Sequence, residues 1–249
     1  MNHDQIALQL YTIRDLAAAD LPGTLGAVAE AGYRFVEVAG MPEASAGSLS
    51  TLLSDAGLGA IAIHAGIEAL RADPDAVADR LAALGTTRLI VPWMPAEDRR
   101  SADDVRRFAD ELTRFAALLA PRGVHLGYHN HAFEFEELGG GTIWDVLLDG
   151  LGPDVELEID VYWATVGGRD PVTLIGEVAD RVRLLHMKDL VADPDPRDGP
   201  AGQGSLDFPS IVAAGRGAGV EWYIAEQDHP RSPLDDVAAA YSYLESIAR

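Results

Sequence analysis

Two kinds of run alternate along the chain. Short apolar, β-branched-rich segments read as strands: Ile6 to Tyr11, Phe35 to Val38, Ala60 to His64, Arg88 to Pro92, Val124 to Tyr128, Val155 to Asp160, Val182 to His186 and Trp222 to Glu226. Longer segments with apolar residues at helical spacing lie between them: Leu21 to Ala31, Ser48 to Ala56, Asp73 to Leu84, Ala102 to Ala120, Thr142 to Asp149, Pro171 to Val178, Pro209 to Gly217, and Ser232-Pro233 to Ala248. Prolines open several of these helices. Gly32, Gly57, Gly85 and Pro121-Arg122-Gly123 close others. One connection departs from the rhythm, a long stretch from Asp189 to Leu206 rich in Pro, Gly and Asp that reads as a loop.

Eight strand–helix units in 249 residues predict a (β/α)8 TIM barrel of the α/β class. No linker or low-complexity segment divides the chain, so residues 1–249 read as one domain. The rival, a doubly wound open sheet, calls for a glycine-rich phosphate turn after an early strand, and no G-x-G-x-x-G follows the first one. In a barrel the active site lies at the carboxyl ends of the strands. The residues there are mostly polar or ionisable: Gln9, Tyr11, Glu37, His64, Trp93, His129, His131, Asp160, His186 with Lys188, and Glu226. The densest segment is Gly127-Tyr-His-Asn-His-Ala-Phe-Glu-Phe135. Strand alternation puts His129 and His131 on one face and turns Asn130 to the other. Protonatable groups beside a core are costly unless water, a metal or a partner satisfies them.

Composition narrows the options. The formal net charge of -21 disfavours nucleic acid and anionic lipid as partners. The absence of cysteine removes disulfides, thiolate metal sites and cysteine nucleophiles. No basic, apolar leader and no membrane-length apolar run is visible, which predicts a cytoplasmic protein with no membrane partner. Two carboxylates with one or two imidazoles make an oxygen–nitrogen metal site, suited to Mn²⁺, Mg²⁺, Co²⁺ or Zn²⁺ alike.

Across nearly its whole length the chain resembles the xylose-isomerase-like sugar phosphate isomerase/epimerase family. The resemblance rests on Leu8-Gln-Leu-Tyr-Thr-Ile-Arg14, Gly127 to Phe135, Glu158-Ile-Asp-Val-Tyr-Trp163, Leu185-His-Met-Lys-Asp189, Gly202-Gln-Gly-Ser-Leu-Asp-Phe208 and Ala225-Glu-Gln-Asp228. It implies a divalent metal, most of all Mn, held by His129, Asp160, His186 and Glu226. Many epimerases of that family carry a glutamate where His129 stands. It pairs with the eighth-strand glutamate as acid and base, so this chain departs from the two-glutamate mechanism. Some dehydratase relatives keep a histidine at the place of His131, which makes it a candidate base, titrating near pH ~6.5 if unperturbed. Glu134 falls where a relative places a substrate-contacting acid, and it is also an alternative metal ligand.

His64, Trp93, Trp163 and Lys188 are candidate contacts to a small carbohydrate. Lys188 is also a candidate acid or enediolate stabiliser. Arg14 and Arg169 are candidate anion binders, yet no phosphate cradle is visible, so an unphosphorylated substrate is expected. These readings predict a metal-dependent sugar isomerase or epimerase working by proton transfer next to a carbonyl. The alternatives are a dehydratase or lyase of an inosose, a dehydroshikimate-like or a 3-keto-glycoside substrate, and a non-catalytic sugar-binding regulatory barrel. A homo-oligomer is allowed, and a DNA-repair endonuclease is disfavoured by the charge.

Overall fold

The computed structural model describes residues 1–41, 46–192 and 196–248. Eight parallel strands close a barrel: β1 (Ile6–Gln9), β2 (Phe35–Val38), β3 (Gly59–His64), β4 (Arg88–Val91), β5 (His125–His129), β6 (Glu156–Asp160), β7 (Val182–His186) and β8 (Trp222–Ala225). Each strand pairs with its neighbours in sequence, and β1 closes the ring between β2 (Leu8 opposite Val36) and β8 (Leu8 opposite Ala225). Helices return the chain after each strand and bury the outward strand residues. Leu8, Val36, Leu126, Leu157 and Leu185 join Leu25, Phe108, Trp144 and Leu174 in one apolar layer.

The helix boundaries follow the expected punctuation. The helix Pro74–Leu84 starts where the Asp73 side chain accepts the Ala76 N–H, and it ends at Gly85 with φ 74°. The Ser101 side chain caps Ala102–Leu119 by accepting the Asp104 N–H. Several features depart from the expected pattern. β1 stops at Gln9, whose side chain accepts the Tyr11 N–H and turns Leu10–Ile13 into a 3₁₀ helix. Short helices Arg14–Ala19, Ile67–Ala72 and Val161–Val166 are additional; each is too short to give a clear period. Within the predicted loop, Asp189–Val191 pairs antiparallel with Arg197–Gly199, and residues 193–195 lie outside the described residues. The Asp189 carboxylate accepts the N–H groups of Gly202 (3.0 Å), Gly204 (2.7 Å) and Leu206 (3.0 Å), tying this loop back under the rim.

Side-chain period two inside the barrel separates a floor from a site. On six strands an apolar or small inward residue is followed two positions later by a polar one: Ala7 and Gln9, Phe35 and Glu37, Ala62 and His64, Gly127 and His129, Leu184 and His186, Ile224 and Glu226. The floor is Ala7, Ala62, Ile90, Leu184 and Ile224, packed on Phe35 and Trp222. Gly127 leaves room there for Ile90, whose Cδ1 would lie 2.7 Å from an added Cβ and would have to move. Below the floor, Arg88 spans Glu156 (2.7 Å) and Glu221 (3.1 Å). Among the described residues no helix is long and apolar enough to cross a membrane.

Candidate active site

Directly above the floor lies a layer of paired imidazoles and carboxylates. Glu158, at the middle of β6, presents Oε2 to three rings: His64 Nε2 at 2.9 Å, His129 Nδ1 at 3.0 Å and His186 Nε2 at 3.2 Å. Glu37 presents Oε2 to His186 Nε2 at 2.7 Å and His64 Nε2 at 3.2 Å, and it accepts the Gln9 side-chain N–H at 2.8 Å. Glu37, Glu158 and His186 are fully buried.

A second layer sits nearer the rim. Asp160 ends β6, and its Oδ1 caps the next short helix by accepting the Trp163 N–H at 2.9 Å. Its other oxygen, Oδ2, faces His129 Nε2 (3.8 Å), His186 Nδ1 (3.9 Å) and Lys188 Nζ (2.9 Å), yet no donor meets it with hydrogen-bond geometry. Glu226 Oε2 lies 2.6 Å from His186 Nδ1 and 2.8 Å from Lys188 Nζ. Lys188 also donates to Asp228 at 2.9 Å. Asp228 is placed in turn by Asp198, which accepts the N–H groups of Asp228 and His229. His186 therefore joins the layers, Nε2 toward Glu37 and Nδ1 toward Asp160 and Glu226.

The electrostatics fit a cation site. Four carboxylates, Glu37, Glu158, Asp160 and Glu226, are each at most 7% exposed, and Lys188 is the one permanent cation among them. Burial alone would lower the His64 pKa, but Glu37 and Glu158 outweigh it and hold His64 up to about 10. Burial likewise opposes a charged His186, and Glu158 and Glu226 hold it well above the ordinary value. Thus His64 and His186 take on protons to balance the carboxylates. Burial pushes Asp160 up to about 6. Burial would also raise Glu226, but Lys188 and His186 keep it well below the carboxylate range. His129 is pushed down to about 3, chiefly by burial, and so stays neutral.

The donor set suits a divalent ion. Asp160 Oδ2, Glu226 and His186 Nδ1 lie within 4.8 Å of one another, and His129 Nε2 approaches the same oxygen of Asp160. His186 Nδ1 now meets Glu226 Oε2 at 2.6 Å; with Nε2–H given to Glu37, loss of the Nδ1 proton would turn that nitrogen and Glu226 together to a metal, the usual support of a ligating imidazole by an outer carboxylate. A second group, His64, His129, Glu158 and His186, also meets the distance requirement. It is already closed by its own hydrogen bonds.

Above these layers opens a cavity of about 280 Å³, lined by Tyr11, His64, Trp93, His129, His131, Lys188 and Glu226 among others. Of the residues singled out in the sequence, His129, Asp160, His186, Glu226, Lys188 and His64 converge here, and Trp93 and His131 stand on the wall. Three placements differ from expectation. Glu134 does not reach the cavity: Tyr128 Oη donates to its Oε1 at 2.5 Å and the His131 N–H to its Oε2 at 2.8 Å. Both oxygens are thereby occupied, which separates it from the metal ligands and from a proton-donor position. Trp163 stands behind His131 (ring centroids 5.6 Å apart) and 5.8 Å from Lys188 Nζ, and is not on the cavity wall. His131 is held down to about 2, first by burial and then by His129 and Lys188, well below the expected value near 6.5.

The candidate anion binders are engaged elsewhere. Arg14 lies over the Tyr11 ring and donates to the backbone oxygens of Tyr11 and Asp228, and Arg169 pairs with Glu177. Glu158, Asp228 and Asp198 received no role from the sequence. Parity was the available signal for the first two: Glu158 precedes Asp160 by two, and Asp228 follows Glu226 by two. Asp198 lies in the short strand Arg197–Gly199, inside the stretch expected to be a loop, and gave no such signal.

Comparison with known proteins agrees with this geometry. A family profile described as the xylose isomerase-like TIM barrel matches residues 25–247. An inosose dehydratase of Lacticaseibacillus casei is 27% identical over 169 residues, 58% of this chain and 55% of that protein. The chain therefore matches only about half the length of this curated relative. The crystal structure of a sugar phosphate isomerase/epimerase from Parabacteroides distasonis superposes with a TM-score of 0.83 at 25% identity, over 96% of both chains. The IOLI protein, solved with a bound zinc atom, shares the fold with a TM-score of 0.73 at 14% identity, over 98% of this chain and 97% of that one.

Proposed function

The chain belongs to the xylose isomerase-like TIM barrel family, and from that premise we propose that it moves a proton next to the carbonyl of an unphosphorylated keto-sugar or keto-polyol. In this reading His129, Asp160, His186 and Glu226 hold one divalent metal, with Mn²⁺, Mg²⁺, Co²⁺ and Zn²⁺ all compatible with the donors. The observation that carries the reading is the convergence of Asp160, His186 and Glu226: Asp160 Oδ2 is fully buried, faces two imidazoles and is met only by Lys188 Nζ, at 2.9 Å and outside hydrogen-bond geometry. When bound, the metal would polarise the substrate carbonyl as a Lewis acid.

The side chains of the chain supply the rest. Glu226, kept ionised by Lys188 and His186, and His131, kept neutral by burial, are two proton acceptors on the cavity wall. Both shifts make weak bases, so basicity does not choose between them; Glu226 is assigned removal of the α-proton because it stands beside Asp160 and His186 in the ligand group, with His131 holding a substrate hydroxyl. Lys188 is held charged by Asp160, Glu226 and Asp228, despite burial that opposes its charge. It suits the stabilisation of an oxyanion better than the release of a proton.

Elimination is the outcome this geometry supports best. Two-base epimerisation places a carboxylate on each side of the reacting carbon. Here β5 ends in His129, and Glu134 is tied to Tyr128 and the His131 N–H. In an elimination one base removes the proton, the C–H electrons form the carbon–carbon double bond, and the β carbon–oxygen bond breaks. The departing oxygen then takes up a proton. The similarity to inosose dehydratase supports this dehydratase or lyase reading. Isomerisation or epimerisation remains the second reading, supported by the likeness to the Parabacteroides protein. The test is proton exchange in D₂O with keto-sugars, inososes and 3-keto-glycosides, with metal-stripped and metal-reloaded protein. Metal-dependent exchange at one carbon is expected. Tight binding without exchange at any metal loading would overturn catalysis and leave a sugar-binding barrel.

A further inference from the structure

Beside the catalytic cavity lies a second concavity of about 270 Å³, and Trp93 and His131 stand on the walls of both. Its other walls include Met94, Pro95, Arg99 and Phe133. Three features distinguish this groove from ordinary surface. Trp93 is 53% exposed, a large aromatic left standing on the ridge between two hollows. The Arg99 guanidinium carbon lies 3.5 Å from the Phe133 ring centroid, so a flat cation faces a flat ring. Arg99 Nη1 is buried without a hydrogen-bond partner, and among the described residues Arg99 has no ion pair. Arg181 and Arg197 also carry a buried nitrogen without a partner, so what marks Arg99 is its place in a hollow that shares Trp93 and His131 with the catalytic cavity.

We propose that this groove is a second subsite, which receives an aromatic group joined through oxygen to the sugar in the catalytic cavity. That group would be the leaving group of the elimination, and the inference rests on the elimination reading above. Loss of water alone would need no such space. An aryl substituent would extend past His131, stack on the exposed Trp93, meet the Phe133 ring at its edge, since Arg99 and His131 stack on that ring, and bring an oxygen substituent toward the Arg99 edge.

The test uses glycosides that carry no carbonyl, so its outcome is independent of proton exchange. Binding of 4-nitrophenyl β-glucoside and methyl β-glucoside to the metal-loaded protein is measured by calorimetry. The aryl glycoside should bind about tenfold more tightly, equivalent to ~1.4 kcal/mol. Arg99→Gln should reduce that preference. Ala96→Trp, which fills the groove from an exposed position on its wall, should abolish it while methyl glucoside binds as before. An aryl preference absent in the unsubstituted protein, or intact in both variants, overturns the subsite, as does failure of both glycosides to bind. Lost proton exchange with an intact aryl preference would sink the reaction and leave the subsite standing.

Discussion

The two ends of the barrel use the same strands and handle buried charge in opposite ways. At the amino-terminal end, Arg88 is matched by Glu156 and Glu221, and the floor above it is closed by Phe35, Trp222 and Ile90. At the carboxyl-terminal end, Glu37, Glu158, Asp160 and Glu226 share one permanent cation, Lys188, and histidines must be protonated to balance them. One end is a finished ion network. The other has surplus carboxylate: two of its buried oxygens, Glu37 Oε1 and Glu158 Oε1, lack a donor, and Asp160 Oδ2 has only Lys188 Nζ at 2.9 Å, outside hydrogen-bond geometry. Such groups persist where function requires them, because an uncompensated buried charge is costly.

Removing charge at the upper end should therefore harm function and spare the fold. The largest effect is expected from Asp160→Asn, which keeps the oxygen that caps Trp163 N–H and removes the charge from the ligand group. Proton exchange should fall by about 10³-fold or more, since metal polarisation is worth several kcal/mol. Metal content, read by elemental analysis, should fall with it. The melting temperature of the metal-free variant should hold or rise. A collapse of the metal-free fold would mean that Asp160 is structural and would erase the contrast between the ends.

Next in size is Glu158→Gln. Glu158 touches no cavity solvent but holds His64, His129 and His186. It is a positioning residue, and metal affinity should weaken by roughly 10–100-fold, as for other outer partners of ligating histidines. Titration of the stripped protein with Mn²⁺ measures this, and turnover at saturating metal should recover most of its value. Unchanged affinity would detach the deep layer from the site.

The matching change at the other end is Arg88→Met. It leaves the half-buried Glu156 with the exposed His125 near it (3.5 Å). Breaking a half-buried pair, screened in part by solvent, costs about 1–3 kcal/mol, or roughly 2–12 °C in melting temperature for a chain of this size. Metal binding and exchange should be unchanged at a temperature where the variant is folded. A loss of activity in proportion to Asp160→Asn would show that the ends are coupled.

The sequence carried the barrel because period-two strands, helical spacing and Gly or Pro stops are local signals, and each of the eight strands was legible. It also marked strand-end residues, since topology alone brings Asp160, His186 and Glu226 together. It could not give the depth of a side chain. Glu158 is a turn of the alternation below Asp160, and only the closed ring brings it against His64 and His186. Nor could it give the direction of a loop residue. Glu134 lies five residues after His129 and reads as an active-site acid until the 3₁₀ turn Phe133–Phe135 aims it back at Tyr128. The hairpin inside the Asp189 to Leu206 stretch was hidden for a similar reason, because Asp189 organises it through N–H groups far along the chain.

That reassignment of Glu134 yields the smallest and most selective test. Burial raises its pKa to about 7, against an ordinary value near 4.5, even though Tyr128 and the His131 N–H favour the ionised form. Between pH 4.5 and 7 the folded protein thus holds a proton on Glu134 that the unfolded chain has released. Stability then falls as pH rises, because the native state is the one binding more protons. The contribution is fully present below the unfolded value and is lost as pH passes through the folded one. Glu134→Gln mimics the protonated form at all pH values, so the difference in stability between the two proteins should be flat below pH 4.5. It should then turn in favour of Gln through pH 7, by about 1–3 kcal/mol. Urea denaturation of both proteins across that range measures it, and the difference cancels every other titrating group. Metal affinity and exchange should change little, since Glu134 reaches neither the ligands nor the cavity. A variant that folds normally but loses its metal would return Glu134 to the ligand group, and a pH-independent difference would mean that its carboxylate is ionised in the fold and held by its two donors.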